Sequence, residues 1–149
     1  MILLVVRGLA VVAFLGLAAC ASHPAAPDRL QPAAATIDWG AAKTVTVKMT
    51  DFDFTPGTVA FESAQPVKLV LVNDGTDRHD FSAPAFFAAA SLRQGSTGPA
   101  GGKVALAKGQ SAEIDLVPGA PGQYPLTCTE FLHEMFGMTG TVTVTAASH

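Results

Sequence analysis

The chain contains little charge and very little cysteine. Of its 149 residues 14% are charged, with nine Lys and Arg against twelve Asp and Glu and a net charge of −3. The basic residues form no cluster, so the electrostatic footprint of a nucleic-acid-binding protein is missing. No internal repeat is visible. What the chain does contain is a hydrophobic fraction of 49%, with 14 Gly and 10 Pro, which is typical of one compact, turn-rich domain and excludes a disordered chain.

The first twenty residues, MILLVVRGLAVVAFLGLAAC, have the basic start and the short apolar run of an export signal. Their end, Leu17-Ala18-Ala19-Cys20, resembles the lipobox of bacterial lipoproteins. In that family the signal is cut before the cysteine, whose thiol carries the lipid. A plain signal peptide and an uncleaved anchor helix are the alternatives. A membrane-spanning helix, however, needs about 20 apolar residues, and Arg7 interrupts this run.

These features predict three parts along the chain. Residues 1–19 are a lipoprotein signal peptide, and residues 20–42 are an Ala- and Pro-rich linker anchored through lipid on Cys20. Residues 43–149 are the folded domain. The protein is therefore expected in a bacterial cell envelope, facing the periplasm and attached to the membrane by its lipid. Ala21 stands where an Asp retains some lipoproteins at the inner membrane, which favours the outer membrane.

From residue 43 onward apolar residues recur with a period of two, in short runs separated by turns that contain Gly or Pro. This spacing indicates an all-β domain, either a Greek-key β-sandwich or a barrel. The exception is Pro84–Arg93, whose Ala-rich composition and leading Pro predict one short helix or helical turn within this segment. In the segment FDF, Phe52 and Phe54 are predicted to share one face. The other predicted strands are KTVTVKM, TVAFE, PVKLVLVN, KVALA, SAEIDLV, QYPLTC and TGTVTVT.

One loop near the C-terminus gathers a thiol, an imidazole and a thioether. In QYPLTC, Cys128 shares a strand face with the apolar Tyr124 and Leu126, so its side chain is predicted to point inward. The loop that follows contains His133 and ends at Met138, just before the last strand. If Cys20 is lipidated, Cys128 has no cysteine partner. A lone thiol in an oxidising compartment is open to oxidation unless it is buried or bound to metal.

A second imidazole is available at His79, which begins a segment after the core strand PVKLVLVN. If that segment neighbours the Cys128 strand, His79 reaches the same end of the sandwich. Each donor alone has an ordinary explanation, because buried thiols are usually inert, histidines usually lie at the surface and methionines fill gaps. Four such groups in order at strand ends indicate a metal site.

The types of donor group indicate which metal the site binds. Two imidazoles, one thiolate and a weak thioether form the blue-copper electron-transfer site, whereas zinc prefers a fourth hard or thiolate ligand. One copper ion, cycling between Cu(I) and Cu(II), is therefore predicted. Cys128 and His133 could also be a nucleophile and its base, but no third orienting residue or oxyanion loop is visible, so an enzyme is not predicted.

The segments FDFTPGTVAFESAQPVKLVLVNDGTDRHDF and PGQYPLTCTEFLHEMFGMTGTVTV resemble the cupredoxin family, which includes plastocyanin and azurin. The similarity extends over Lys43–Thr145. It implies that His79, Cys128 and His133 are the equatorial copper ligands. Met138 is implied as the axial ligand.

The chain departs from the family pattern in two ways. The spacing from Cys128 to His133 is azurin-like, but the spacing from His133 to Met138 is plastocyanin-like, and Met135 offers a second thioether. The residue after the first ligand histidine is usually Asn and here is Asp80. An ionised Asp only accepts hydrogen bonds. Its expected partners are the hydroxyls of Thr127 or Thr129, or backbone N–H groups of the same loop.

The resemblance implies an electron carrier whose partner is a redox protein such as a cytochrome or an oxidase, with no role for nucleic acid. Glu130 and Glu134 beside the site suit a basic partner. The alternatives are a copper-binding protein for copper delivery, storage or resistance, using the same four ligands, and a metal-free domain with a structural role. Four phenylalanines are predicted to pack in the core rather than to form a docking surface: Phe86, Phe87, Phe131 and Phe136.

Overall fold

The computed structural model describes residues 37–96 and 98–148, and within them the chain forms ten β-strands and one α-helix. The predicted signal peptide, Cys20 and most of the predicted linker lie outside the described residues. No helix in the described part is long and apolar enough to cross a membrane. The helix, α1, covers Pro84–Ala89. The strands are β1 (Lys43–Thr50), β2 (Asp53–Thr55), β3 (Thr58–Glu62), β4 (Val67–Asn73), β5 (His79–Ser82), β6 (Ser91–Leu92), β7 (Lys103–Leu106), β8 (Ser111–Val117), β9 (Gly122–Thr127) and β10 (Thr139–Thr145).

The strands form two five-stranded sheets, with the orders β2-β1-β4-β8-β6 and β3-β10-β9-β5-β7. β1 pairs with β4, and β3 with β10, in parallel; the other pairs are antiparallel. Apart from β1–β2 and β9–β10, consecutive strands lie in opposite sheets, so the chain crosses repeatedly from one sheet to the other. These connections are typical of a Greek-key sandwich. The predicted all-β sandwich with one short helix is confirmed.

Alternate residues of each strand fill the space between the sheets. β4 buries Val67, Leu69 and Leu71, and the neighbouring β1 buries Val47 and Met49. Full burial of an aliphatic side chain contributes about 1.5–3 kcal/mol relative to leaving it exposed. The predicted period of two in these strands therefore arises because every second side chain packs in the core.

Helix α1 lies within the segment predicted to form a short helix or a helical turn. Pro84 occupies its first turn as expected, and the buried Phe86 stacks on Phe61 with ring centroids 5.2 Å apart. The helix ends at Ala89, inside the predicted segment, so the prediction of one short helix is confirmed. The chain becomes extended after Ala89, and β6 pairs antiparallel with β8. An edge strand thus follows the helix.

The prediction that Phe52 and Phe54 share one face is wrong. β1 ends at Thr50 and β2 begins at Asp53, so Phe52 lies in the turn between them with φ of 66°. Phe54 is buried in the core, whereas Phe52 is exposed. Period-two alternation holds only along an extended strand, and the turn interrupts it between the two rings.

The connections bring three loops to one end of the sandwich. β1 and β4 run parallel, so the turn after Thr50 and the loop after Asn73 leave the same sheet edge. That loop leads to β5, and β5 meets β9 where Ser82 pairs with Thr127. The loop between β9 and β10 begins one residue after Thr127. The candidate donors His79, Cys128, His133 and Met138 all lie in or beside these loops.

Candidate metal centre

His79 is held at the first position of β5 by a loop that is itself fixed. The buried amide of Asn73 donates to the carbonyl oxygens of Asp77 and Leu106, at 2.8 and 2.9 Å, and accepts from the N–H of Gly75 at 3.0 Å. These bonds close the loop between β4 and β5. His79 pairs with Leu106 across β5 and β7, and its side chain is fully buried.

Cys128 and Met138 lie at the two ends of the loop that joins β9 to β10. The N–H of Cys128 donates to the carbonyl oxygen of Met138 at 3.1 Å, and the N–H of Met138 donates to the carbonyl oxygen of His133 at 2.9 Å. Both side chains are fully buried, as alternation in β9 predicts for Cys128. Gly137, with φ of 95°, provides the left-handed backbone that returns the chain to β10.

Three donor atoms converge at this end of the sandwich. The Nδ1 atoms of His79 and His133 lie 3.1 Å apart, and Cys128 Sγ lies 3.5 Å from His133 Nδ1. Ligand atoms of all three residues lie within 4.8 Å of one another. His79 and Cys128 are buried, while His133 is half-buried. The structure therefore brings together the two imidazoles and the thiol that the sequence analysis selected, and places the buried Met138 beside them in the chain.

The environment of Cys128 keeps its thiol neutral in the absence of metal. Burial raises the pKa of Cys128, and backbone N–H groups of Asp80 and Glu130 offset part of this effect. The Asp80 N–H lies 3.4 Å from the Cys128 sulfur. Since a thiol binds metal as the thiolate, metal binding here releases a proton.

Asp80 ties the His79 strand to the Cys128 loop. Its carboxylate is fully buried and accepts from the N–H of Thr129, at 3.0 and 3.1 Å, and from the Thr129 hydroxyl at 2.8 Å. The predicted bond from Asp80 to this loop is confirmed, with Thr129 as the partner. Lys103 Nζ donates to the Thr129 hydroxyl at 3.2 Å and lies 4.0 Å from the carboxylate, which partly balances its charge. No sequence pattern marks Lys103, because only the pairing of β5 with β7 brings it here.

Asp51 is a second residue of the site that the sequence did not reveal. It lies in the turn between β1 and β2, and its Oδ1 is 3.3 Å from His79 Nε2. The N–H and hydroxyl of Thr76 donate to the same carboxylate at 2.8 and 2.9 Å, and these bonds hold the pKa of Asp51 below its usual value. No local motif marks Asp51. Its place follows from the parallel pairing of β1 and β4, which brings the two turns to one edge.

The surface around His133 is apolar. Phe131 is 85% and Phe136 61% exposed, so the prediction that these two rings pack in the core is wrong: both turn outward from the loop between β9 and β10. Phe52 packs edge-on against His133 and Phe136, with ring centroids 5.3 and 5.2 Å apart. The large apolar side chains exposed in the described residues, here called the apolar rim, are Phe52, Phe131, Leu132, Met135 and Phe136.

A thiol and two imidazoles, buried or half-buried at the end of a Greek-key sandwich, define a copper-binding domain, since soft sulfur and imidazole nitrogen together favour copper. A family model described as a cupredoxin-like domain matches residues 9–144, and the chain belongs to that family. Copper is its cofactor, and the donor set of His79, Cys128 and His133 fits one ion.

Solved structures agree with this fold. Auracyanin B is 25% identical to the chain with a TM-score of 0.52, and the match covers 70% of this chain and 89% of auracyanin B. A dithionite-reduced auracyanin from the photosynthetic bacterium Roseiflexus castenholzii is 21% identical with a TM-score of 0.54, covering 71% of this chain and 99% of that one. At that identity the second likeness shows the fold alone. A comparison with curated protein sequences found no significant match.

Proposed function

We propose that the protein is an electron carrier with a type 1 copper site. His79, Cys128 and His133 would hold the copper ion, and Met138 would be a fourth, weaker ligand. The observation that carries this proposal is the convergence of two imidazoles and a thiol within 4.8 Å of one another, with the fully buried Met138 at the root of the same loop. A bound copper ion supplies one-electron chemistry between Cu(I) and Cu(II).

The loops hold the four side chains in fixed positions. Cys128 and Met138 are joined by a backbone hydrogen bond, and Asp80 bonds the His79 strand to Thr129. A site held by backbone and buried side-chain bonds rearranges little when its charge changes. Small rearrangement is what fast electron exchange requires.

His133 is the side chain through which the site is expected to communicate with a partner. It is half-buried, whereas His79 and Cys128 are buried. Phe52 of the apolar rim packs against it, and the other rim residues lie in the same loop as His133. Apolar side chains exclude water from a contact surface, which suits brief docking of a redox protein such as a cytochrome or an oxidase. Glu134 is exposed at the same surface and suits a basic partner, whereas Glu130 is paired with Arg78 at 2.9 Å.

This function requires no substrate chemistry, and we assign no enzymatic activity. A nucleophilic cysteine has to reach a substrate, and Cys128 is fully buried. In the proposed protein the signal at residues 1–19 is removed, Cys20 carries lipid, and residues 20–42 link it to the domain at 43–149. The carrier is then attached to an envelope membrane and faces the periplasm.

Copper delivery or storage is the second candidate, and one observation favours it. A shallow cleft of about 290 Å³ is lined by Cys128, Glu134 and the exposed Met135, whose thioether could accept Cu(I) near the site. Reduction of the copper-loaded protein in the presence of a Cu(I) chelator separates the two functions. A carrier keeps its copper through repeated cycles and gives a reversible one-electron wave. A delivery protein loses copper to the chelator on reduction, and Met135→Leu slows that loss.

A further inference from the structure

The turn between β1 and β2 contacts both histidines of the site from the outside. Asp51 faces Nε2 of His79 at 3.3 Å, and Phe52 packs against the ring of His133 at 5.3 Å. Neither residue belongs to the loops that carry the donors. The contacts come from the opposite sheet, so they join the two sheets at the metal end.

The Asp51 carboxylate is fixed before it meets His79. The N–H of Thr76 donates to Oδ1 at 2.8 Å, and the Thr76 hydroxyl donates to Oδ2 at 2.9 Å. Gly75 packs against the contact so closely that an added Cβ would lie 2.6 Å from His79 Nε2 and 2.7 Å from Asp51 Oδ1. Phe52 adopts a left-handed φ of 66° and packs on Phe136. The turn is therefore held by hydrogen bonds to Asp51 and by the packing of Phe52.

A carboxylate only accepts hydrogen bonds, so a bond to His79 Nε2 requires the proton on that nitrogen. The proton on Nε2 leaves the lone pair of His79 on Nδ1, and Nδ1 is the atom that faces Nδ1 of His133. The partner of the second ring nitrogen of a metal-binding histidine fixes its tautomer and ring orientation. Asp51 has the place and the chemistry for this role.

We propose that Asp51 is the positioning residue of the site: it fixes His79 with the proton on Nε2 and adds a negative charge that favours the oxidised metal. The inference rests on the proposed function in one respect, that His79 is a ligand. Its tautomer, however, can be measured without copper. The sequence offers a matched control in Asp53, an exposed carboxylate two residues along the chain in β2.

The test uses the full-length protein and the variants Asp51→Asn, Asp51→Ala and Asp53→Asn. In the metal-free protein, nitrogen NMR of the imidazoles is expected to show His79 protonated at Nε2 in the wild type and in Asp51→Asn, whose amide oxygen still accepts. Asp51→Ala is expected to show a mixture of tautomers. After copper loading, Asp51→Asn raises the reduction potential and Asp53→Asn shifts it less. Asp51→Ala binds copper about 10- to 100-fold more weakly, the usual cost of removing such a partner, and so loses it faster.

The outcomes separate this inference from the proposed function. If copper gives the wild type no thiolate absorption, the function is wrong, while the tautomer measurement still decides the role of Asp51. If the absorption is normal but neither Asp51 variant differs from Asp53→Asn in tautomer, potential or copper loss, the inference is overturned. Should Asp51→Ala fail to fold, the potential of Asp51→Asn against that of Asp53→Asn decides, because Asn keeps an acceptor for Thr76 and His79.

Discussion

Met138 and Met135 lie three residues apart in the chain but differ in their exposure to solvent. Met138 is fully buried beside the donor group, and Met135 is 77% exposed. Only a buried thioether is held in one position by its surroundings. This difference supports the choice of Met138 as the axial ligand in the proposed site.

Met138→Leu is expected to retain copper and to raise the reduction potential, because a weak donor that stabilises Cu(II) is lost. Leu has a similar volume, so the core packing is kept. The matched control is Met135→Leu, which should leave the potential unchanged. Voltammetry of both variants makes the comparison, and a shift in Met135→Leu alone would show that the wrong methionine was chosen.

The role of Asp80 can be tested with two variants, one that removes its charge and one that also removes its hydrogen bonds. Asp80→Asn keeps an acceptor for the Thr129 N–H and loses the charge, so it is expected to retain copper and to raise the potential modestly, since Lys103 already balances part of that charge. Asp80→Ala removes the acceptor of the part-buried bonds from the Thr129 N–H and hydroxyl. It should lower the free energy of unfolding by about 1–3 kcal/mol and speed copper loss. Urea unfolding and copper off-rates measure both effects; two wild-type-like variants would mean that the bonds to Thr129 contribute nothing.

The sequence predicted which segments are strands and which of their side chains point inward, but it did not predict which strands pair with each other. Period two located the strands and the inward direction of Cys128, because burial on one face leaves a pattern in the sequence. The parallel pairing of β1 with β4 left no such pattern, since the partner of a strand is chosen by packing between distant segments. Asp51 was therefore missed as a neighbour of His79. Phe52 and Phe131 were misplaced because alternation and hydrophobicity do not register a turn or an exposed loop.

The start of β10 is confined by the turn between β2 and β3. The carbonyl oxygen of Gly57 accepts from the N–H of Thr141, and a Cβ added at Gly140 would lie 2.6 Å from that oxygen. Both groups at this contact belong to the backbone, so no flexible side chain can move aside to make room for the Cβ. The strand that follows Met138 thus depends on a glycine for its place in the sheet.

Gly140→Ala is expected to lower the free energy of unfolding by about 1–3 kcal/mol, the usual effect of overpacking. Gly57→Ala is the matched control on the other side of the contact, because its Cβ would meet only the Phe54 carbonyl oxygen, at 3.6 Å. It should be close to wild type. Urea unfolding of the metal-free proteins compares them, and equal stabilities would contradict the close approach.

Considered as a whole, the molecule places its candidate metal centre and its apolar rim at one end of the sandwich. The proposed lipid at Cys20 would attach the domain to a membrane through the linker at residues 20–42. The predicted lipidation depends on the sequence Leu17-Ala18-Ala19-Cys20 alone.

Radiolabelled fatty acid is therefore expected to enter the wild-type protein but not Cys20→Ala, because the thiol that carries the lipid is absent. Membrane fractionation should then find the wild type in the outer membrane, as Ala21 favours. Labelling of Cys20→Ala would contradict the lipoprotein prediction, and recovery only from the inner membrane would contradict the predicted location.

The absorption spectrum of the full-length protein after addition of one equivalent of Cu(II) decides whether Cys128 is a copper ligand. With the thiolate coordinated, an intense sulfur-to-copper band and a deep colour are expected. Cys20→Ser, which removes the other cysteine, should keep the band, and Cys128→Ser should abolish it while leaving the fold intact by circular dichroism. A spectrum of Cys128→Ser that matches the wild type, or a wild type without the band, would contradict the assignment of this site.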